Sequence, residues 1–177
     1  MSRFRLTTLN LFSRWVDLDD LARAIDELTP DVMVVQEMTA DSAAVIAGSF
    51  PTHDLRPDPA FAGWGIAGRI PIEVAPERPG WGRGGFGRVE IAGRTVHLAA
   101  THILDPMHRP LTRNRKARRA QTDALLSWGE TRPVGDPQVV AGDMNASPIW
   151  EVYRRLTEVW DDVVLDEARR RGAKPAR

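Results

Sequence analysis

Four short apolar runs in this sequence end abruptly in polar residues, and those residues have chemistry to offer. Leu6-Thr7-Thr8-Leu9 runs into Asn10, and Val32-Met33-Val34-Val35 runs into Gln36-Glu37. The run from Val96 to Thr101 ends at His102, and Val139-Val140-Ala141 leads through Gly142 to Asp143-Met144-Asn145. A strand end is where a rigid scaffold gives way to loops, so polar groups placed there can face one shared opening. Amide carbonyls and carboxylates are hard oxygen donors of the kind that suits Mg²⁺. One histidine among them would not dominate coordination and suits proton transfer or charge stabilisation. Each group also has a plainer reading. Glu37 can be a strand end entering solvent, Asn10 a turn cap, and Gly-Asp followed by Asn-Ala-Ser-Pro simple turn chemistry. His97, on the alternate face of the same run, competes with His102.

The elements that must position these groups alternate between strand and helix patterns. A strand is expected over residues 4–11, then a helix from Leu18, Leu21, Ala22, Ile25 and Leu28, with Asp17 as its N-cap and Pro30 as its stop. Val32 to Val35 has the continuous apolar character of a strand buried on both faces. The next helix is expected over 42–47. Residues 53–90 are rich in Pro and Gly, with short strands expected at 64–69, 72–75 and 87–91. After the strand at 96–101, Ala117, Gln121, Ala124, Leu125 and Trp128 mark a long helix, capped by Thr112. A strand at 139–141 and a helix through Ile149, Val152, Tyr153 and Leu156 complete the pattern. Interleaving of this kind predicts a layered α/β or α+β domain, without separating parallel from antiparallel pairing. One domain over residues 1–165 and a frayed basic tail over 166–177 is the expected organisation.

Taken in order, Leu9-Asn10, Val35-Gln36-Glu37, Thr101-His102 and Gly142-Asp143-Met144-Asn145 resemble the motifs of the endonuclease/exonuclease/phosphatase superfamily. Gly65-Ile66-Ala67-Gly68-Arg69-Ile70-Pro71-Ile72 is similar to that family's middle strand pair, and Gln121 stands where its inter-motif helix carries a Gln. The resemblance covers about residues 4 to 160. It implies a deoxyribonuclease-I-like sandwich of two β-sheets flanked by helices. It also implies Mg²⁺, with Mn²⁺ as an alternative, and in-line attack of water on a phosphate ester. In that scheme Glu37 is the main metal ligand with Asn10 close by. Asp143 orients the water, Asn145 holds a phosphate oxygen, and His102 stabilises the developing charge. Arg69 is carried over as a second phosphate-binding residue. The expected function is that of a phosphodiesterase or nuclease-like hydrolase acting on nucleic acid or another phosphoester.

Family members continue past this Gly-Asp-x-Asn motif to a closing Asp-His pair, which supplies a general base. Here the chain ends 32 residues after Asn145, and no histidine lies beyond it. The expectation is therefore a C-terminally incomplete copy of the fold with weak or absent hydrolysis. An open sheet edge would then favour self-association. The alternative is a truncated domain that retains only metal or phosphate binding.

Composition narrows the classes further. The 177 residues carry 24 basic and 24 acidic side chains, so the heavily basic profile of a chromatin protein is excluded. The segment from Arg109 to Arg119 nonetheless holds six basic residues and no acid. It reads equally as a groove for a nucleic-acid backbone or as a solvated helix face. No cysteine is present, which excludes disulfides, thiolate zinc sites and thiol nucleophiles and fits a reducing, cytoplasmic setting. No apolar run is long enough for a membrane span. Gly82 to Gly87 matches G-x-G-x-x-G, but the residues after it read as strand rather than helix, so a dinucleotide loop is rejected.

Overall fold

The computed structural model describes residues 4–77, 79–80, 82–107 and 109–172. Two four-stranded sheets pack face to face. The first has the order β1-β2-β4-β3, from β1 (Leu6–Asn10), β2 (Val32–Gln36), β3 (Thr52–Arg56) and β4 (Trp64–Gly68). The second has the order β5-β6-β7-β8, from β5 (Glu73–Val74), β6 (Gly84–Ile91), β7 (Arg94–His102) and β8 (Gln138–Asp143). Each sheet is mixed: β1 and β2 run parallel, as do β7 and β8, and the other neighbours are antiparallel.

Alternation along the central strands builds the layers. In β2, Val32 and Val34 face the other sheet and pack with Trp64, Ile66, Leu98 and Ala100. Met33 and Val35, on the opposite face, pack under α1 (Leu18–Leu28) and α2 (Ala40–Ser49) with Leu21, Ile25, Ile46 and Phe50. On the far side, Ala99 of β7 and Ile103 meet Leu125 and Trp128 of α3 (Leu111–Glu130) and Val152 and Leu156 of α4 (Glu151–Thr157). The result is four layers, helix on sheet on sheet on helix. Both faces of β2 are covered, which explains its unbroken apolar sequence.

Local signals account for most element ends. The Asp17 carboxylate caps α1 by accepting from the backbone N–H groups of Asp19 and Asp20. The helix stops at Leu28 because Thr29 turns left-handed (φ 43°), one residue before Pro30. The cap expected at Thr112 is corrected: Thr112 lies inside α3, and Pro110 occupies the cap position without a side-chain bond. β3 was not expected; its Thr-His-Asp-Leu-Arg sequence has no apolar run, and β4 is its one strand neighbour in the sheet, with Leu55 packed on the core under α2. The tail expected from residue 166 is helical through Arg170 as part of α5 (Val163–Arg170), and residues 173–177 lie outside the described residues.

One aspartate joins α4 to α5. Asp162 caps α5 by accepting from Val164 and Leu165, while its other oxygen accepts from the Tyr153 hydroxyl at 2.8 Å. Partial burial and that bond to a carboxylate raise the pKa of Tyr153, the chain's one tyrosine, above its ordinary 10. The folded state thus holds this proton more tightly than the unfolded chain does. The stabilisation is fully present below pH 10 and is lost as pH rises through the folded value. Ultraviolet titration of the phenol should show a midpoint higher in the folded protein than in denaturant. Coincident midpoints would contradict the Tyr153–Asp162 bond.

Candidate functional site

The two parallel strand pairs, one per sheet, finish at the same end of the sandwich. Asn10 lies opposite Gln36 in the first pair, and His102 lies opposite Asp143 in the second. At these ends the chain turns sharply. Glu37 takes a left-handed backbone (φ 54°), and its carbonyl accepts from Ser13 at 2.9 Å. Asn145 is also left-handed (φ 44°). Asparagine tolerates that region, whereas glutamate there costs about 1–2 kcal/mol. Backbone strain of this kind concentrates at functional sites.

Asn10 bridges the two sheets. Its amide nitrogen donates to Glu37 Oε1 and to Asp143 Oδ2, both at 3.0 Å, while its oxygen accepts from the Phe12 backbone at 2.9 Å. Asn10 therefore turns its NH₂ group to the carboxylates, and ligation through its oxygen would require the amide to turn over. The other oxygen of Asp143 accepts from the Asn145 backbone at 2.8 Å, so both its oxygens are engaged. The Asn145 side chain donates one N–H to the Ile103 carbonyl at 2.9 Å, which leaves its second N–H for a ligand. His102 is buried, and its Nε2 lies 3.7 Å from Glu37 Oε1, too far for a hydrogen bond. Burial lowers the imidazole pKa below 6.5, helped by the charge of Arg83 and opposed by Asp143 and Glu37. His102 is accordingly neutral at pH 7.

Two buried atoms in this cluster have no hydrogen-bond partner among the described residues: Glu37 Oε2 and His102 Nδ1. An unpartnered buried carboxylate oxygen is costly unless something else neutralises it. A cation would do so, and the donor set fits Mg²⁺, which is commonly held by one or two carboxylates with several waters retained. Among the described residues no group of three or more His, Asp or Glu side chains comes together to hold a metal.

The structure brings together Asn10, Glu37, His102, Asp143 and Asn145. It does not bring Arg69 to them. β4 runs antiparallel to β2, so Gly68 pairs with Val32 at the start of β2, whereas Glu37 lies just past its end. Arg69 is separated from the cluster by the length of β2, roughly 13 Å at about 3.3 Å per residue. It is exposed and lies over the Phe50 ring at 5.5 Å. The phosphate role expected for Arg69 is therefore corrected. His97 is set apart in the same way: it pairs with Gln138 at the start of β8 and bonds Asp136 at 3.0 Å.

Two features escaped the sequence reading. Arg118 is buried, and its guanidinium donates to the carbonyl of Asn145 at 2.9 Å and to that of Leu104. Gln121, one turn on, accepts from the Leu104 N–H at 3.0 Å. Together they fix the loop after His102 to the loop after Asp143. The spacing Arg-x-x-Gln on one helix face was the available signal. The second feature is an aromatic rim. Phe12 and Phe61 are exposed and meet edge-on at 6.3 Å, beside the loop whose backbone bonds Asn10 and Glu37.

The family model described as "Endonuclease/Exonuclease/phosphatase family" matches residues 7–164. No curated protein matches the sequence. Among solved structures, the human Nocturnin catalytic domain with bound sulfate is 17% identical, with a TM-score of 0.68 over 98% of this chain and 77% of that one. An AP endonuclease from Archaeoglobus fulgidus is 17% identical, with a TM-score of 0.67 over 97% of this chain and 83% of that one. A beta toxin mutant from Staphylococcus aureus with bound magnesium ions is 16% identical, with a TM-score of 0.63 over 89% and 70%. These likenesses are likenesses of fold, the deoxyribonuclease-I-like two-sheet sandwich expected from the sequence. The family match spans both sheets and every residue of the Glu37–Asp143 cluster, and the chain belongs to the endonuclease/exonuclease/phosphatase family.

Proposed function

We propose that this chain is a divalent-metal-dependent hydrolase of phosphate esters, acting on phosphodiesters with Mg²⁺ or Mn²⁺. Membership of the family supports phosphoester hydrolysis as the general activity. The observation that carries the finer reading is the unpartnered, buried Glu37 Oε2 beside a hydrogen-bonded Asp143. Glu37 and Asn10 are the residues that would hold the cation, Glu37 directly and Asn10 by fixing its other oxygen. When bound, the cation supplies positive charge against the phosphoryl oxygens and the attacking group.

The remaining roles fall to the chain's own side chains. Asp143 is held in one orientation through both oxygens, which suits it to orient a water for attack. Asn145 spends one side-chain N–H on the Ile103 carbonyl and has a second that can bind a phosphoryl oxygen. Neutral His102 carries one ring N–H, a donor for the charge that develops on phosphorus-bound oxygen. Hydrolysis of bis-p-nitrophenyl phosphate with Mg²⁺ or Mn²⁺ is the test. The expected result is release of p-nitrophenolate that a chelator abolishes and added metal restores.

A second reading, cation or phosphate binding without turnover, is favoured by one observation. Among the described histidines only His102 reaches the cluster, since His97 bonds Asp136 and His53 bonds the Phe50 carbonyl. Among the described residues, no imidazole besides His102 is thus placed to take the proton of an attacking water. Mn²⁺ binding without turnover in the same assay would select this reading.

A further inference from the structure

A cavity of about 400 Å³ opens between α3 and α4. Five arginines line it, Arg115, Arg118, Arg119, Arg154 and Arg155, against the single carboxylate of Glu151. Arg119 pairs with Glu151 at 2.8 Å, and Arg155 pairs with Asp123 at 2.6 Å. Arg118 is directed to the carbonyls of Leu104 and Asn145. Arg115 and Arg154 are exposed and have no carboxylate partner among the described residues. An aromatic ring completes the lining: Trp150, 38% exposed, with the Arg118 guanidinium 5.7 Å from its centroid.

The cavity is joined to the site described above. Arg118 lines it and bonds the Asn145 carbonyl, and the N–H of Asn145 bonds Asp143. Arg118 thus links the cavity wall to the loop that carries Asn145 and Asp143. Two unpaired cations on different helices, in a surplus of positive charge, suit a ligand with repeated negative charge. A partly exposed indole among them suits a planar π-face. Repeated phosphates with planar bases describe a single nucleic-acid strand. A bilayer surface shares the negative charge but is flat, whereas these arginines line a concavity.

We propose that the α3–α4 cavity is a subsite for a single nucleic-acid strand, with backbone phosphates at Arg115 and Arg154 and a base on Trp150. The proposal rests on the phosphodiesterase reading, because the scissile phosphate of that strand would lie at the Glu37–Asp143 cluster. It divides the basic run of α3 into an inner part that positions Asn145, through Arg118, and an outer part that meets ligand.

The test is fluorescence anisotropy of a short labelled oligothymidylate at several salt concentrations, with chelator present so that no turnover is needed. The wild-type protein should bind with a clear inverse salt dependence. The double variant Arg115→Ala/Arg154→Ala should flatten the slope of log K against log salt by about 1.4, at about 0.7 per phosphate contact on single strands. Trp150→Ala should weaken binding by roughly 5- to 150-fold, and Trp150→Tyr should restore most of it. The arginine substitutions lie on exposed positions, so they report on binding even if the tryptophan variant fails to fold. Unchanged affinity and slope in the arginine variant would overturn the proposal. So would arginine-dependent binding to phosphatidylserine vesicles without binding to the oligonucleotide. Oligonucleotide binding with the expected slope, but no hydrolysis of bis-p-nitrophenyl phosphate, would sustain the subsite and reject the phosphodiesterase reading.

Discussion

Glu37→Gln should lower kcat/KM for bis-p-nitrophenyl phosphate by about 10³-fold while leaving the melting temperature nearly unchanged. Glutamine keeps the shape of the side chain and an oxygen for the Asn10 amide, which now donates to Glu37 Oε1. It removes the negative charge and places an NH₂ where Oε2 has no hydrogen-bond partner. If Oε2 is the cation's ligand, the loss is that of metal assistance, worth several kcal/mol at the transition state. About 4 kcal/mol corresponds to three decades of rate. If Glu37 were only a structural acceptor, the change would weaken one hydrogen bond, about 1 kcal/mol, or roughly fivefold. The two expectations differ by more than a hundredfold, so steady-state kinetics beside a thermal melt separates them.

The second large effect is structural. Gly142, the residue before Asp143, has φ 140°, and a Cβ there would sit 1.9 Å from the Thr101 carbonyl oxygen and 2.9 Å from its carbon. Both atoms are backbone of the neighbouring strand, so relief must come from parting β7 and β8 where His102 faces Asp143. Gly142→Ala should therefore cost about 3 kcal/mol or more, from steric overpacking and a backbone region that favours glycine. At about 2–4 °C per kcal/mol for a chain of this size, the melting temperature should fall by about 6–12 °C. Activity should fall with it, because Asp143 is displaced. Gly48→Ala is the contrast: Gly48 lies in α2 with nothing within 4 Å of an added Cβ. There alanine should stabilise by up to about 1 kcal/mol. Calorimetric melts of the two variants check both signs, and a Gly142→Ala protein as stable as wild type would contradict the close approach.

The site was legible in the sequence for a physical reason. β2 and β7 are buried on both faces and read as apolar runs, so Gln36-Glu37 and His102 stand out as the points where burial ends. The pairing of those ends was not legible. Hydrophobic periodicity is the same for parallel and antiparallel neighbours, and that choice sends Glu37 to one end of β2 and Arg69 to the other. Arg118 was hidden for a different reason. A charged residue in a basic run looks solvated, and only the tertiary carbonyls of Leu104 and Asn145 turn it inward. β3 escaped because its strand character comes from a partner's backbone rather than from its own side chains. The aromatic rim at Phe12 and Phe61 joins residues 49 positions apart, a contact no local pattern reports.

The central claim is that Glu37 and Asp143, carried on different sheets and joined by Asn10, form a cation-dependent phosphoesterase site. Anomalous diffraction from crystals soaked in Mn²⁺ tests it most directly, because it locates the cation rather than inferring it. The expected result is one dominant peak within bonding distance of Glu37 Oε2, in the opening shared with Asp143 and Asn145, and absent in Glu37→Gln crystals. A dominant peak elsewhere, such as at Asp136 beside His97, or a peak at the cluster that persists in Glu37→Gln, would contradict the account.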